Sequence, residues 1–467
     1  MLLVGAIIVV CFGERHYDDP YITYRYAQNL AGGAGFVYNR GEYVLSTTTP
    51  LFTLILALAA LVTQDLPTVA NIVGAGCLAA GALCFKRIFL SDQQRLAALI
   101  ALVAYPVYPL LVNTLGSEIP LFLLLCLLSF YASVQQHYNL TAICLALATL
   151  TRPDGALAVV AVFIGVVWRK RMRVAEPRFL RAAGLYALFI SAWLIMAWKY
   201  FGNPLPVTLY AKQAQGALLI SIGFLPGLAS MVSQSIPLPA VWFGAGLAIT
   251  GCIYMLKRKQ VALIVVIWAV MHTVAYGLLG VSRYFWYYAP VVTGLIAAVG
   301  MGAEHASQWA KRVSPLASKV IGATLAGAVV ITMALSVVNL TQTGNPRTEV
   351  YRAVGEWLRA KTGADDSVGA LEVGAVGYYA QRRIIDFAGL IQPDVAQRLL
   401  LSQSYDETAI YAMDRYQPDY IAIRDDQVGP LTRSRLEQAC RAIWHGVMDI
   451  EAGTTLMVVY RCHGQNE

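Results

Sequence analysis

Charge is scarce in this 467-residue chain. Asp, Glu, Lys and Arg make up 13% of it against 58% hydrophobic residues, which excludes an ordinary soluble domain and points to a polytopic membrane protein. Acid is scarcest in the first part: residues 1 to 340 hold 10 Asp and Glu against 22 Lys and Arg, whereas residues 341 to 467 hold 17 against 13. The chain therefore reads as a basic membrane domain, 1–340, followed by a mildly acidic tail domain, 341–467. The densest basic cluster, "WRKRMRVAEPRFLR" from Trp168, lies between two apolar runs. Its place suits a cytoplasmic loop and argues against nucleic acid as a partner.

Metal-ligand spacing is also lacking. Six of the eight cysteines (Cys11, Cys77, Cys84, Cys126, Cys144, Cys252) fall in or beside apolar runs, where they read as small buried side chains. Cys440 and Cys462 lie in the tail, where an extracytoplasmic setting would permit a disulfide. The halves of the membrane part show no internal repeat of the kind that marks transporters.

A span needs roughly 20 apolar residues, fewer where the interior is polar or the bilayer thins. Apolar runs place about eleven spans, near 2–13, 67–85, 96–113, 119–134, 140–151, 153–168, 181–200, 237–256, 261–280, 286–302 and 318–340. The first run is short; either the natural start lies upstream or this is an uncleaved signal-like segment. The loops at Lys86 to Arg95, Arg169 to Arg181, Lys257 to Lys259 and Lys311 to Lys319 hold fifteen of the 22 basic residues and are placed inside. Parity then requires Leu51 to Val62, which begins at Pro50, to lie at the outer interface rather than to span. Outside lie the first loop, 13–66, "GSE" at Gly116, "TRPDG" at Thr151, residues 201–236, "VSRYF" at Val281 and the whole tail.

Seven of the ten acids of the membrane part fall on that outer side: Glu14, Asp18, Asp19, Glu42, Asp65, Glu118 and Asp154. Ionisable groups so close to apolar spans are costly, which makes them functional candidates. Asp19 precedes Pro20, a pair suited to cap a helix running to about Leu30. Asp18 has no such structural use and reads as a catalytic residue in preference to a solvated loop charge. Arg25, on a helix with Tyr21, Tyr24 and Tyr26, is either a snorkelling interfacial cation or a substrate contact. Glu118 opens a span, where an acid also complements the helix dipole. Arg152 and Asp154 interrupt 26 otherwise apolar residues; they read as an ion pair at a turn or as a site for an anionic lipid head group.

The runs "DDPYITYRYAQNLAGGAGFVYNRGEYVLSTTTPLF", "GSEIPLF", "LATLTRPDG" and "YFGNPLPVTLYAK", in that order over most of residues 1 to 300, resemble GT-C glycosyltransferases that use polyprenyl-phosphate sugars. The likeness is nearest to cell-wall arabinofuranosyltransferases and related bacterial enzymes, with lipid A aminoarabinose transferases and protein O-mannosyltransferases more distant. It implies a catalytic carboxylate in the first outer loop, which falls on Asp18 or else Asp19, a second acid at Glu118, and a basic residue at Arg152. The more distant transferases carry a Lys before the Pro of the interfacial helix, where this chain has Thr49. The missing phosphate contact then falls to Lys212, Arg25 or Arg283, with Asp154 and Tyr287 as further substrate contacts. What the resemblance implies is inverting transfer of arabinofuranose, mannose or a similar sugar from a polyprenyl-phosphate donor. The acceptor would be an extracytoplasmic glycan, lipid or protein, at the plasma (inner) membrane.

Such a donor has its leaving group already activated, so one base and a few cations suffice. No cofactor is required; a divalent metal is not favoured, since His16 is the only histidine among these acids. The alternatives are a flippase for lipid-linked sugars and a non-catalytic envelope scaffold.

The tail alternates helix and strand. "RTEVYRAVGEWLRAKTG" predicts an amphipathic helix, and "SVGALEVG", "RIIDFAGL", "PDYIAIRDD" and "TLMVVYRC" predict strands of a small α/β domain. The glycines of "EVGAVGYY" suit a strand-to-helix turn better than a phosphate loop. Covering the active site or binding an acceptor glycan is the role expected of this domain.

Overall fold

The computed structural model describes residues 2–13, 15–170, 176–218, 220–235, 238–342, 346–450 and 453–462. Glu14 and residues 171–175 of the densest basic loop lie outside the described residues. Helices occupy every stretch read as a span. Among the described residues five of them, Leu66–Leu90, Pro177–Phe201, Pro239–Arg258, Phe285–Ala310 and Pro315–Thr341, are long and apolar enough to cross a membrane. The others are shorter, among them Ile119–Val134, Tyr138–Thr151, Gly155–Lys170 and Leu263–Leu279. They pack together round buried Phe85, Phe122, Phe130 and Trp268, so protein as well as lipid surrounds their backbones.

Three of the four basic turns lie together at one end of the helices. On one face Gln94 meets both Gln260 and Gln308, which draws together the turns at Lys86 to Arg95, Lys257 to Lys259 and Lys311 to Lys319. On the opposite face the first loop meets Gly116, Arg152, Lys212 and Trp286. Helix Pro50–Ala60 buries Phe52, Leu56 and Ala60 and exposes Leu54 and Leu58, a one-sided pattern suited to an interfacial position.

The tail is a five-stranded sheet of order β2-β1-β3-β5-β4. Its strands are β1 Ser367–Ala370, β2 Arg383–Asp386, β3 Tyr420–Arg424, β4 Cys440–Ile450 and β5 Gly453–Cys462. β1 pairs parallel with β2 and β3, while β5 runs antiparallel to both β3 and β4. β4 has no counterpart among the four expected strands. Its run "CRAIWHGVMDI" is broken by His445 and Gly446, and it pairs only with its hairpin neighbour β5. Cys440 and Cys462 face each other across that hairpin and are disulfide-bonded.

The tail does not hang free. Tyr21, Tyr24, Tyr26 and Tyr38 of the first loop share one buried apolar cluster with Val354, Val376, Tyr378 and Ile384 of the tail.

At the end of β2, Asp386 is fully buried and accepts N–H bonds from Ala388 (2.7 Å) and Ile391 (2.9 Å). Burial pushes its carboxyl up to about 6, against the pull of those donors. A folded-state value above the ordinary one means that the folded tail holds this proton more tightly than the unfolded chain does. Its contribution is fully present below pH ~3.8 and is lost as pH rises through about 6, a difference of about 3 kcal/mol. The urea midpoint of tail unfolding, read by pulse proteolysis of the full chain, is expected to fall between pH 5 and pH 7.5. Asp386→Asn should flatten that slope; an unchanged slope in the variant would assign it to other groups.

Candidate active site

Where the first loop meets the turns at Gly116, Thr151 and Val281 lies a cavity of about 370 Å³. Its walls include Asp19, Thr47, Thr48, Thr49, Glu118, Arg152, Asp154, Thr208, Lys212, Tyr276, Trp286 and Tyr287. All its lining residues fall between Tyr17 and Tyr287; among the described residues none comes from the tail.

The floor is an ion network. Arg152 follows helix Tyr138–Thr151 in extended conformation, which turns its side chain back among three helices. Its Nη1 donates to Glu118 Oε1 at 2.7 Å, its Nε to Asp154 Oδ1 at 3.0 Å, and its Nη2 to the Tyr276 hydroxyl at 2.8 Å. Tyr276 in turn donates to Asp154 Oδ2 at 3.0 Å. His272 stacks on Tyr276 and donates from Nε2 to the Tyr287 carbonyl at 2.9 Å. A guanidinium held on several sides by carboxylates and hydroxyls keeps its charge and its geometry in a dry setting. Glu118, expected as a second acid of the site or as a complement to the start of its helix, makes no side-chain cap bond; its carboxylate joins this network at the cavity wall.

Nearer the mouth, Lys212 Nζ lies 3.0 Å from Asp19 Oδ2 and 3.9 Å from the centre of the Tyr284 ring. Lys212 comes from helix Val207–Gly216, whose first residue is tied to the first loop by a Val207 N–H bond to the Leu45 carbonyl at 2.8 Å. Burial works against the ammonium charge, but Asp19 and the Tyr284 and Tyr287 hydroxyls outweigh it. Lys212 is thereby held well above the ordinary lysine value.

The two adjacent aspartates part company. Asp19 makes no side-chain cap bond to helix Pro20–Ala31, contrary to the capping expectation, and lines the cavity beside Lys212. Asp18 is not among the lining residues; its Oδ2 and Oδ1 accept the N–H groups of Gly374 (2.9 Å) and Ala375 (2.8 Å) of the tail. Burial first, and then the Glu372 carboxylate, push Asp18 up to about 8.

Of the remaining candidates, Arg152, Asp154, Lys212 and Tyr287 meet in the cavity, and Arg25 and Arg283 do not. Arg25 is buried and donates to the carbonyls of Tyr38, Gly377 and Arg382, so it belongs to the junction with the tail. Arg283 is exposed. Thr49, standing where a Lys was missed, bonds Thr23 and Thr47 at 3.1 Å each and adds hydroxyls to the wall rather than charge. The hydroxyl wall, Tyr276 and Trp286 were not singled out in the sequence; only the repeated Thr of "STTTP" could have drawn attention to it. Among the described residues, no three His, Cys, Asp or Glu side chains are grouped to hold a metal ion.

A family described as a domain of unknown function (DUF8728) matches residues 338–461, the tail alone. No curated protein matches the chain. Among solved structures, the oligosaccharyltransferase of Archaeoglobus fulgidus in complex with Zn and sulfate superposes with a TM-score of 0.60 at 12% identity. The match covers 98% of this chain and 72% of that one. ArnT from Cupriavidus metallidurans bound to undecaprenyl phosphate gives a TM-score of 0.56 at 11% identity, covering 98% of this chain and 97% of that one. The archaeal enzyme AglB, in complex with an inhibitory peptide and a dolichol-phosphate, gives 0.55 at 12%, covering 100% and 74%. At such identities the likeness is one of fold alone: the chain folds like the oligosaccharyltransferase, ArnT and AglB, in keeping with the resemblance carried by the motifs of the membrane part.

Proposed function

We propose that the chain is a membrane glycosyltransferase that moves a sugar from a polyprenyl-phosphate donor to a hydroxyl acceptor. The observation that carries this reading is the juxtaposition, in one cavity, of a carboxylate and an ammonium (Asp19 and Lys212) with the Arg152 network beneath them. The fold neighbours described with undecaprenyl phosphate and dolichol-phosphate support a lipid-phosphate donor.

In the reaction, the acceptor hydroxyl attacks the anomeric carbon while the bond from that carbon to the phosphate oxygen breaks. Asp19 takes the hydroxyl proton. The departing lipid phosphate gains negative charge, which Lys212 meets, with Arg152 and Tyr287 at the floor and wall. Before the donor arrives, Lys212 is paired with Asp19. Donor phosphate competes for that ammonium and leaves the carboxylate free to act as base. Attack opposite the leaving phosphate inverts the anomeric centre. The hydroxyl wall of Thr47, Thr48, Thr49 and Thr208 suits a neutral sugar such as arabinofuranose or mannose. The basic turns gathered on the far face and the disulfide in the tail favour a plasma-membrane protein with the cavity and tail outside.

The test is a transfer assay on the full chain in lipid vesicles with a panel of polyprenyl-phosphate sugars, read as release of lipid phosphate. Release dependent on one donor supports transfer. Movement of labelled donor across the vesicle without release would favour a flippase; neither release nor movement with pentose or hexose donors would sink the transferase reading.

A further inference from the structure

The tail is seated on the membrane part through the first loop, and one of those contacts lies next to the proposed base. Asp18 grips two consecutive backbone N–H groups of the tail, those of Gly374 and Ala375. The Tyr38 hydroxyl donates to the Val373 carbonyl, and Arg25 donates to the carbonyls of Gly377 and Arg382. Both glycines of "VGAVG" mark points of contact. A Cβ at Gly374 would strike the Asp18 carbonyl oxygen, and one at Gly377 would strike the Tyr38 hydroxyl. The stretch Val373 to Gly377 is therefore fitted to the first loop at several places, and the grip on Asp18 lies one residue from Asp19.

We propose that Asp18 is a positioning residue: by clamping the tail domain to the backbone just before Asp19, it holds the Asp19 carboxylate toward Lys212 and the cavity. This rests on the reading of Asp19 as the base. Consecutive residues joined by one peptide plane cannot be moved independently, so release of Asp18 loosens Asp19 as well. Among the described residues the tail contributes none of the cavity wall, so it acts on the base from behind and not as a lid over the substrate. A misplacement of about 1 Å at a reacting group can cost on the order of 100-fold in rate.

That logic separates rate from affinity. In the full chain in lipid, Asp18→Ala is expected to lower kcat by ~10- to 100-fold, with KM for donor and for acceptor unchanged within about twofold. Amide exchange at Gly374 and Ala375 should speed up in the same variant. Asp18→Asn keeps one carbonyl oxygen for one of the two N–H groups and should recover part of the rate. Arg383→Ala removes an exposed pair with Glu42 at the same junction and should leave kcat unchanged. The proposal is overturned if Asp18→Ala keeps full kcat, or if its loss appears in acceptor KM alone, which would make the tail part of the acceptor site. It is overturned too if Asp18→Ala matches Asp19→Asn in loss while both amides stay protected, which would make Asp18 the base. A wild-type chain that transfers no sugar sinks the transferase reading on its own. Exchange then still decides the clamp, because unchanged protection in Asp18→Ala removes it. Should the Ala variant fail to fold, the intermediate kcat of Asp18→Asn carries the same test.

Discussion

Asp19→Asn is expected to lower kcat by about 1,000-fold while donor KM falls rather than rises. Asn matches Asp in size and keeps one oxygen for Lys212, so the cavity retains its shape. What it loses is basicity. The acceptor hydroxyl must then shed its proton to water in the transition state, a loss of about 4 kcal/mol at the stated factor. The affinity change has a separate cause. In the wild type, Lys212 lies 3.0 Å from an aspartate that competes with the incoming phosphate for its ammonium. Neutralising that partner frees the cation for the donor, so binding tightens as chemistry slows. Single-turnover kinetics with the donor that the panel identifies separates the two effects. Equal losses in Asp19→Asn and Asp18→Asn, or a rise in donor KM alone, would remove Asp19 from the proton transfer.

Much of this site was legible before the fold. Glu118, Arg152 and Asp154 stand out because each interrupts or abuts an apolar run, where an unpaired charge is untenable. The structure brings these three together within hydrogen-bond reach. Lys212 was legible as one candidate for the missing phosphate contact. The choice between Asp18 and Asp19 was not legible. It depends on which way two consecutive side chains point, and the partner of one of them, the Gly374 and Ala375 amides, lies in another domain hundreds of residues later. Arg25 eluded the same reasoning for the same reason. A cation on a Tyr-rich helix reads as membrane-facing until the carbonyls of Gly377 and Arg382 are known to be its partners. Helix positions were readable from hydropathy, and so were several of their bounds: the runs 140–151 and 153–168 agree with Tyr138–Thr151 and Gly155–Lys170 to within two residues. Segments such as Tyr138–Thr151 and Gly155–Lys170 are cut short by the Arg152 turn that builds the floor of the cavity.

Lys212→Gln should reduce kcat by ~100- to 1,000-fold, the range found when one preorganised donor to a developing anion is removed. Lys212→Arg should stay within about tenfold of wild type, because a cation in the same place still meets the departing phosphate. The two substitutions separate charge from packing. The Lys212 ammonium lies 3.9 Å from the centre of the Tyr284 ring and 5.8 Å from that of Trp286, so the head group sits in an aromatic slot that Gln partly fills and Arg crowds. If packing were the main contribution, Arg would be the worse replacement; if charge is, Gln is worse. Arg152 is a poorer place to ask this question. Its removal would leave Glu118 and Asp154 buried without their cation, at a cost of several kcal/mol to the fold itself. Lys212, whose carboxylate partner Asp19 is one-third exposed, can be neutralised with much less damage. Since Lys212 is held above the ordinary lysine value, it stays charged through neutral and mildly alkaline pH. A loss of activity below about pH 10 in the wild type therefore belongs to another group. Persistence of that basic limb in Lys212→Arg would bear this out, and its disappearance would show that Lys212 titrates within the working range.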